Sequence, residues 1–314
     1  MVARVAATIL VRNLRKSYGS MVAVAGVSFE VEQGEFFGIL GPNGAGKTTT
    51  LEMLEGLRKP DDGELTVLGL PPWPRNPALL PRIGVQLQST SFFERLTARE
   101  QIRTFASLYG VPARRADEML SVVGLDEQAE TRAEKLSGGQ AQRLSIACAL
   151  VHDPELVFMD EPTGSLDPQA RRNLWDLLRQ INADGRTVVL TTHHMDEAET
   201  LCDRVAIMDH GEILQLGPPA VLVRGVDTPV RISVESGQLT AVDARALSPG
   251  ADPAGTVLAD TDVADDGVSL TIATRDPAAV LAGLADRHAL TGLRVQGATL
   301  EDVFLTLTGR EYRA

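Results

Sequence analysis

The run Gly41-Pro-Asn-Gly-Ala-Gly-Lys47-Thr48 has the residue types, at the spacing G-x-x-x-x-G-K-T, from which backbone N–H groups can be turned toward a polyphosphate. Its glycines let successive N–H groups face inward, and the start of a following helix adds a partial positive charge on the same side. Gly41, Pro42, Asn43, Gly44, Ala45, Gly46, Lys47 and Thr48 are therefore all candidate ATP contacts. Lys47 can reach the β- and γ-phosphates, the Thr48 hydroxyl can hold Mg²⁺, and Thr49 can donate to the α-phosphate. Two carboxylates add the rest of the chemistry. Asp160 and Glu161 end the apolar run Leu156-Val-Phe-Met159, and groups at the end of such a strand emerge where open α/β sheets bind ligands. There Asp160 can orient Mg²⁺ through water, and Glu161 can act as general base on an attacking water.

These groups need a sheet to hold them, and the chain supplies one. From Ile9 to about Gly225, short apolar or β-branched runs alternate with helical patterns, as a largely parallel sheet covered by helices requires. Val27–Val31, Phe36–Leu40, Leu156–Met159 and Thr187–Leu190 are the clearest strands. Between the phosphate loop and Asp160 lies a helix-rich insert, in which Thr97-Ala-Arg-Glu100 fits a capping box and Ile102, Phe105 and Ala106 follow at helical spacing. After Gly217-Pro-Pro219 the composition changes. From Val226 onward there is no lysine, while alanine, aspartate and glycine dominate, which places a domain boundary there. The tail predicts strands at Val230–Val234, Val268–Ile272 and near Leu293–Val295, with a helix at Pro277–Arg287 and another from Leu300. Ala251–Asp266 reads as a loop with room for one more short strand.

Composition narrows the function classes. A chain of 314 residues with 44% hydrophobic and 23% charged residues has the makings of one large and one small folded domain. Its formal net charge of −12 argues against nonspecific nucleic-acid binding, which needs a positive surface to displace counterions. No apolar run approaches the ~18–20 residues that span a bilayer. Val5–Val11 runs directly into Arg12 without a small-residue cleavage site, so it reads as a first strand and not as a signal peptide. Cys148 and Cys202 lie far apart without metal-ligand spacing, as for buried reduced thiols in the cytoplasm.

Leu136-Ser-Gly-Gly-Gln140, continued by Gln142-Arg143, adds a far more specific pattern. With it, residues Ile9 to Gly225 resemble the nucleotide-binding domain of ABC transporters. The resemblance implies an α/β P-loop NTPase core of the ABC ATPase type (residues 1–225) with a helical subdomain at roughly residues 89–153. A small α+β C-terminal domain would occupy residues 226–314. It further implies that Ser137, Gly138, Gly139 and Gln140 reach the nucleotide bound by a second subunit in a head-to-tail dimer. Because only one phosphate loop is present, that second ATPase unit comes from another chain, with a homodimer as the expectation and a heterodimer left open. Tyr18 takes the position of the aromatic that stacks on adenine. Gln88 takes that of the glutamine at Mg²⁺ and the attacking water. His193 takes that of the histidine at the γ-phosphate, and Asp167, in Ser165-Leu-Asp167, that of the loop at the dimer contact and its ATP.

The segment Leu300-Glu-Asp-Val-Phe-Leu-Thr-Leu-Thr-Gly309 is similar to the end of daunorubicin-resistance-type exporter ATPases. Read by itself it is a helix with a Thr299/Asp302 capping box, an apolar stripe of Leu300, Val303, Phe304 and Leu307, and Gly309 at its end. The resemblance thus implies a cytoplasmic ATPase, peripheral on the inner face of the membrane, that powers a bacterial exporter of drugs, lipids or polysaccharides through separate membrane subunits. An importer ATPase and a soluble nucleotide switch are the alternatives. The switch reading is disfavoured because this sequence shows neither the paired cassettes nor the long coiled coils that such switches carry.

Overall fold

The computed structural model describes residues 7–87, 92–247 and 261–309. Two units are distinguished, one running to Pro219 and the other beginning at Ala220. In the first, strands β1 (Ile9–Tyr18) and β2 (Met21–Val31) form a hairpin, followed by β3 (Phe36–Leu40), helix α1 (Lys47–Leu54), β4 (Asp62–Val67) and β5 (Ile83–Gln86). Three helices come next, α2 (Ala98–Leu108), α3 (Arg114–Val122) and α4 (Gly138–Leu150). The chain then alternates through β6 (Leu156–Asp160), α5 (Pro168–Ala183), β7 (Thr187–Thr192), α6 (Met195–Leu201), β8 (Arg204–Asp209) and β9 (Glu212–Gly217).

Six of these strands make the main sheet, in the order β5-β6-β7-β3-β8-β9, parallel except for the last pair. Every residue of β3, β6 and β7 is buried, which is why these strands read as continuous apolar runs and not as alternating ones. Register then fixes the chemistry. Asp160 lies opposite Thr191, and Leu40 opposite Thr192, so three neighbouring strands end level with one another. A second, antiparallel sheet, β2-β1-β4, shares the core, where the Phe29 and Phe37 rings stack with centroids 5.3 Å apart. β1 begins at Ile9, so within the expected strand Val5–Val11 the residues Ile9–Val11 are strand and Ala7 and Thr8 are not, while residues 1–6 lie outside the described residues. In α2 the capping box is formed, with the Thr97 hydroxyl accepting from the Glu100 N–H and Glu100 accepting from the Thr97 N–H, and Ile102 and Ala106 are buried.

The second unit opens with α7 (Pro219–Arg224), whose first residue closes the preceding unit. It continues with β10 (Val230–Glu235), α8 (Ala241–Arg245), β11 (Thr261–Asp265), β12 (Ser269–Thr274), α9 (Pro277–Asp286), β13 (Arg294–Gln296) and α10 (Leu300–Thr308). Its sheet is antiparallel throughout, in the order β11-β12-β10-β13. Ile232, Val234, Leu270 and Ile272 face Val280 and Leu284 of α9 and Ala244 of α8, which gives this unit a core of its own. α10 carries the expected Thr299/Asp302 capping box and ends at Gly309, at φ 66°. β11 is a short strand inside the stretch Ala251–Asp266, where the sequence leaves room for one. Of its five residues only Val263 is both apolar and buried, too weak a pattern to stand out.

Candidate functional site

The phosphate loop joins β3 to α1. Gly46 occupies the N-cap of α1 at φ 101°, a left-handed conformation, and a Cβ there would overlap the Ala23 carbonyl oxygen. A Cβ on Gly41 would likewise overlap the Met208 carbonyl oxygen. Only glycine allows the loop to pass this close to the backbone of β2 and β8. The loop floors a cleft of about 580 Å³, lined also by Tyr18, Met21, Val22, Ala23, Asn43, Gly44, Lys47, Thr48, Thr49, Glu161 and His210.

Lys47 is almost fully buried, and its Nζ donates to the carbonyls of Gly41 (2.8 Å) and Pro42 (3.1 Å). It also lies 3.3 Å from Glu161 Oε1. The other Glu161 oxygen is 3.1 Å from His193 Nδ1. Glu161 itself sits at φ 47°, its N–H held by the carbonyl and hydroxyl of Thr191. That backbone twist turns the residue after a buried strand sideways, toward Lys47 and His193. Asp160 accepts from Thr48 Oγ1 at 3.2 Å and from the Thr191 hydroxyl. Carboxylate and hydroxyl thus meet at the start of α1. Two hard oxygen donors beside a polyphosphate site suit Mg²⁺, which takes few protein ligands and completes its shell with phosphate and water.

Electrostatics separates the two carboxylates. Burial pulls the pKa of Glu161 upward, but the charges of Lys47 and His193 outweigh it and hold the group below the usual carboxylate range. Burial raises Asp160, only partly offset by the hydrogen bonds from Thr191 and Thr48. Burial also lowers the pKa of Lys47, against the pull of Glu161 and Asp160. The arrangement holds a cation and an ionised carboxylate in contact at the end of the loop.

Tyr18 is partly exposed on the cleft wall, with Lys16 Nζ 5.6 Å and Arg58 Cζ 5.3 Å from its ring centre. Ser137 is the N-cap of α4 and forms a capping box with Gln140, each side chain satisfying the other's N–H. Ser137 and Gly138 are exposed, so this helix start faces solvent within the chain. Asp167 caps α5, its Oδ1 accepting from Gln169 and Ala170 N–H at 2.9 Å each. Neither Ser137 nor Asp167 lines the cleft. Gln88 lies outside the described residues, as does everything from 88 to 91.

Sequence reasoning did not foresee several of these parts. Thr191, which holds both Asp160 and Glu161, precedes His193 by two residues, and its position opposite Asp160 could be read only from strand register. His210, in the turn between β8 and β9, reaches the cleft with no local pattern to announce it. His194 tilts against His193 with ring centres 4.1 Å apart, and its own pKa is lowered, first by burial.

Comparison with known proteins agrees with this geometry. The family model described as ABC transporter matches residues 24–164. The chain is 40% identical to the Nod factor export ATP-binding protein I of Ralstonia nicotianae, over 96% of this chain and 94% of that one. It is 37% identical to the linearmycin resistance ATP-binding protein LnrL of Bacillus subtilis, over 96% and 98%. Among solved structures, an ATP-binding subunit of an ABC transporter superposes with a TM-score of 0.63 at 28% identity, covering 69% of this chain and 92% of that one. A bacterial ABC transporter cassette solved as a dimer superposes at 0.61 and 30% identity, covering 67% and 98%. Fold, phosphate loop and full-length similarity converge, and the chain belongs to the ATP-hydrolysing, ATP-binding subunits of ABC transporters.

Proposed function

We propose that this chain is the motor subunit of a bacterial exporter and that it hydrolyses ATP in a site completed by a second copy. The observation that carries the reading is the contact chain Lys47–Glu161–His193 at the end of the phosphate loop. Lys47 would leave its loop carbonyls to bind the β- and γ-phosphates, with Tyr18 against the base. Glu161, kept ionised, accepts a proton from water as the water oxygen attacks the γ-phosphorus. The bond to the β–γ bridging oxygen breaks, releasing ADP and inorganic phosphate. His193 holds Glu161 and the γ-phosphate. Thr48 and, through water, Asp160 would hold Mg²⁺, which would supply positive charge against the phosphates. Gln88 belongs with the same water and metal.

Ser137, Gly138, Gly139 and Gln140 are proposed to serve the partner subunit's nucleotide, because an exposed helix N-terminus with free N–H groups suits an anion brought to it from outside. Asp167 stands at the same seam. Among the described residues no helix is long and apolar enough to cross a membrane. The transport path is proposed to lie in separate membrane subunits, with the chain at the cytoplasmic face. The outward direction is supported by relatives named for Nod factor export and linearmycin resistance, whose likeness covers 96% of the chain and so includes the second unit. Copurification from cells, with Lys47→Ala as control, tests the reading. A membrane protein should travel with the chain, and efflux should be lost in Lys47→Ala cells while the complex remains. Uptake of a solute lost in its place would overturn the export direction.

A further inference from the structure

Glu197 takes no part in the chemistry above, yet it is fully buried beside it. It lies on α6, four residues after His193. Its Oε1 accepts from the Thr163 hydroxyl at 2.8 Å and from the Trp175 indole N–H at 3.1 Å. Its Oε2 is buried without a hydrogen bond, although the nearby Thr192 hydroxyl still favours the charged form. Burial nevertheless raises the pKa of the group overall.

The partners of Glu197 bracket the catalytic groups. Thr163 follows Glu161 by two residues and is itself fully buried. Trp175 sits on α5, the helix capped by Asp167. The turn between them passes beside both catalytic side chains, so that a Cβ added to Gly164 would lie 3.6 Å from Glu161 Oε2 and from His193 Cε1. A carboxyl sunk in the core normally costs stability, and a buried polar network fully tied on one side rigidifies what it joins.

Building on the ATPase reading, we propose that Glu197 is a positioning residue: a buried clamp that fixes the Glu161-to-Asp167 segment to the His193 segment and transmits a shift of Asp167 to His193. The physical reason is that the Glu161–His193 contact joins two chain segments with no backbone pairing beyond Glu161. Small misplacements of such groups are expensive in rate. A clamp below them holds the distance, and the same clamp makes the seam at Asp167 and the γ-phosphate histidine move together.

The test uses the full chain with Glu197→Ala, Thr163→Val, their double variant and Glu197→Gln. Glu197→Ala and Thr163→Val should each lower kcat by roughly 10- to 100-fold with KM for ATP changed by no more than about twofold. The double variant should be no worse than the worse single one, because both break one bond. Glu197→Gln keeps the Oε1 acceptor and should restore kcat to within about threefold. A second readout does not need turnover. The chain has two tryptophans, so in a Trp73→Phe background Trp175 reports alone. Its emission should shift on addition of ATP and Mg²⁺, and the shift should vanish in Glu197→Ala while ATP still binds. Should Glu197→Ala not fold, Thr163→Val carries both readouts with nearly unchanged shape. Parental kcat together with an intact Trp175 response in these variants overturns the clamp, as does a Glu197→Gln chain as damaged as Glu197→Ala. A parent chain that fails to hydrolyse ATP would overturn the ATPase reading itself, a result distinct from either.

Discussion

Glu55 illustrates how far single buried groups shape this protein. It ends α1, two turns beyond Thr48, and both its carboxylate oxygens are buried without hydrogen bonds. Burial first, then the charges of Asp160 and Glu52, push its pKa up to about 8. An acid whose pKa is higher in the folded chain binds more protons there than in the unfolded chain. Its presence therefore erodes stability as pH rises from the ordinary carboxylate value of 4.5 toward about 8. Glu55→Gln, neutral at every pH, should flatten that decline, which can reach at most about 1.4 kcal/mol per pH unit for one proton. Denaturant melts of both chains between pH 5 and 8, read against that scale, check this. Parallel pH profiles would refute it. Residues like Lys47, Thr48, Asp160 and Glu161 were legible because their chemistry is written in contiguous motifs. Glu55, Thr191 and the Thr163–Trp175–Glu197 network were not, since their partners are brought together only by strand register and helix packing.

At the scale of elements, the site is a set of strand ends and helix starts. β3, β6 and β7 deliver the loop, the carboxylates and His193 to one level, and α1 adds its N-terminus. α4 offers a second N-terminus with the Ser137/Gln140 capping box. Ser137→Arg removes that cap, worth about 1 kcal/mol, without touching the cleft. Nucleotide titration of the single chain should therefore give nearly parental affinity, whereas steady-state hydrolysis should fall to background because the bulky cation blocks approach of the partner's nucleotide. Surviving hydrolysis, or lost binding in the single chain, would contradict a composite site. The parallel strands were readable as apolar runs, and the Thr97 and Thr299 caps as short-range patterns. β11 was legible only as room for a short strand, without bounds, because its residues, Asp262 and Asp265 among them, carry almost no apolar alternation.

For the whole molecule, the two units differ in what they hold. Every described residue of the phosphate site lies before Pro219, and the second unit has its own core of Ile232, Leu270 and Val280. We expect a chain ending at Gly225 to remain folded and to bind ATP with affinity within about threefold of the full chain, while export in cells declines. Thermal melting, nucleotide titration and an efflux assay separate these effects. Aggregation of the shortened chain would mean that the tail belongs to the main core.

The central claim, that two copies share ATP and that Glu161 drives its hydrolysis, has one direct measurement. Glu161→Gln should keep ATP and Mg²⁺ binding, lower turnover by about 10²- to 10⁴-fold, and accumulate as a nucleotide-bound dimer by mass. Near-parental hydrolysis in this variant, or a chain that stays monomeric with ATP bound, would contradict the account.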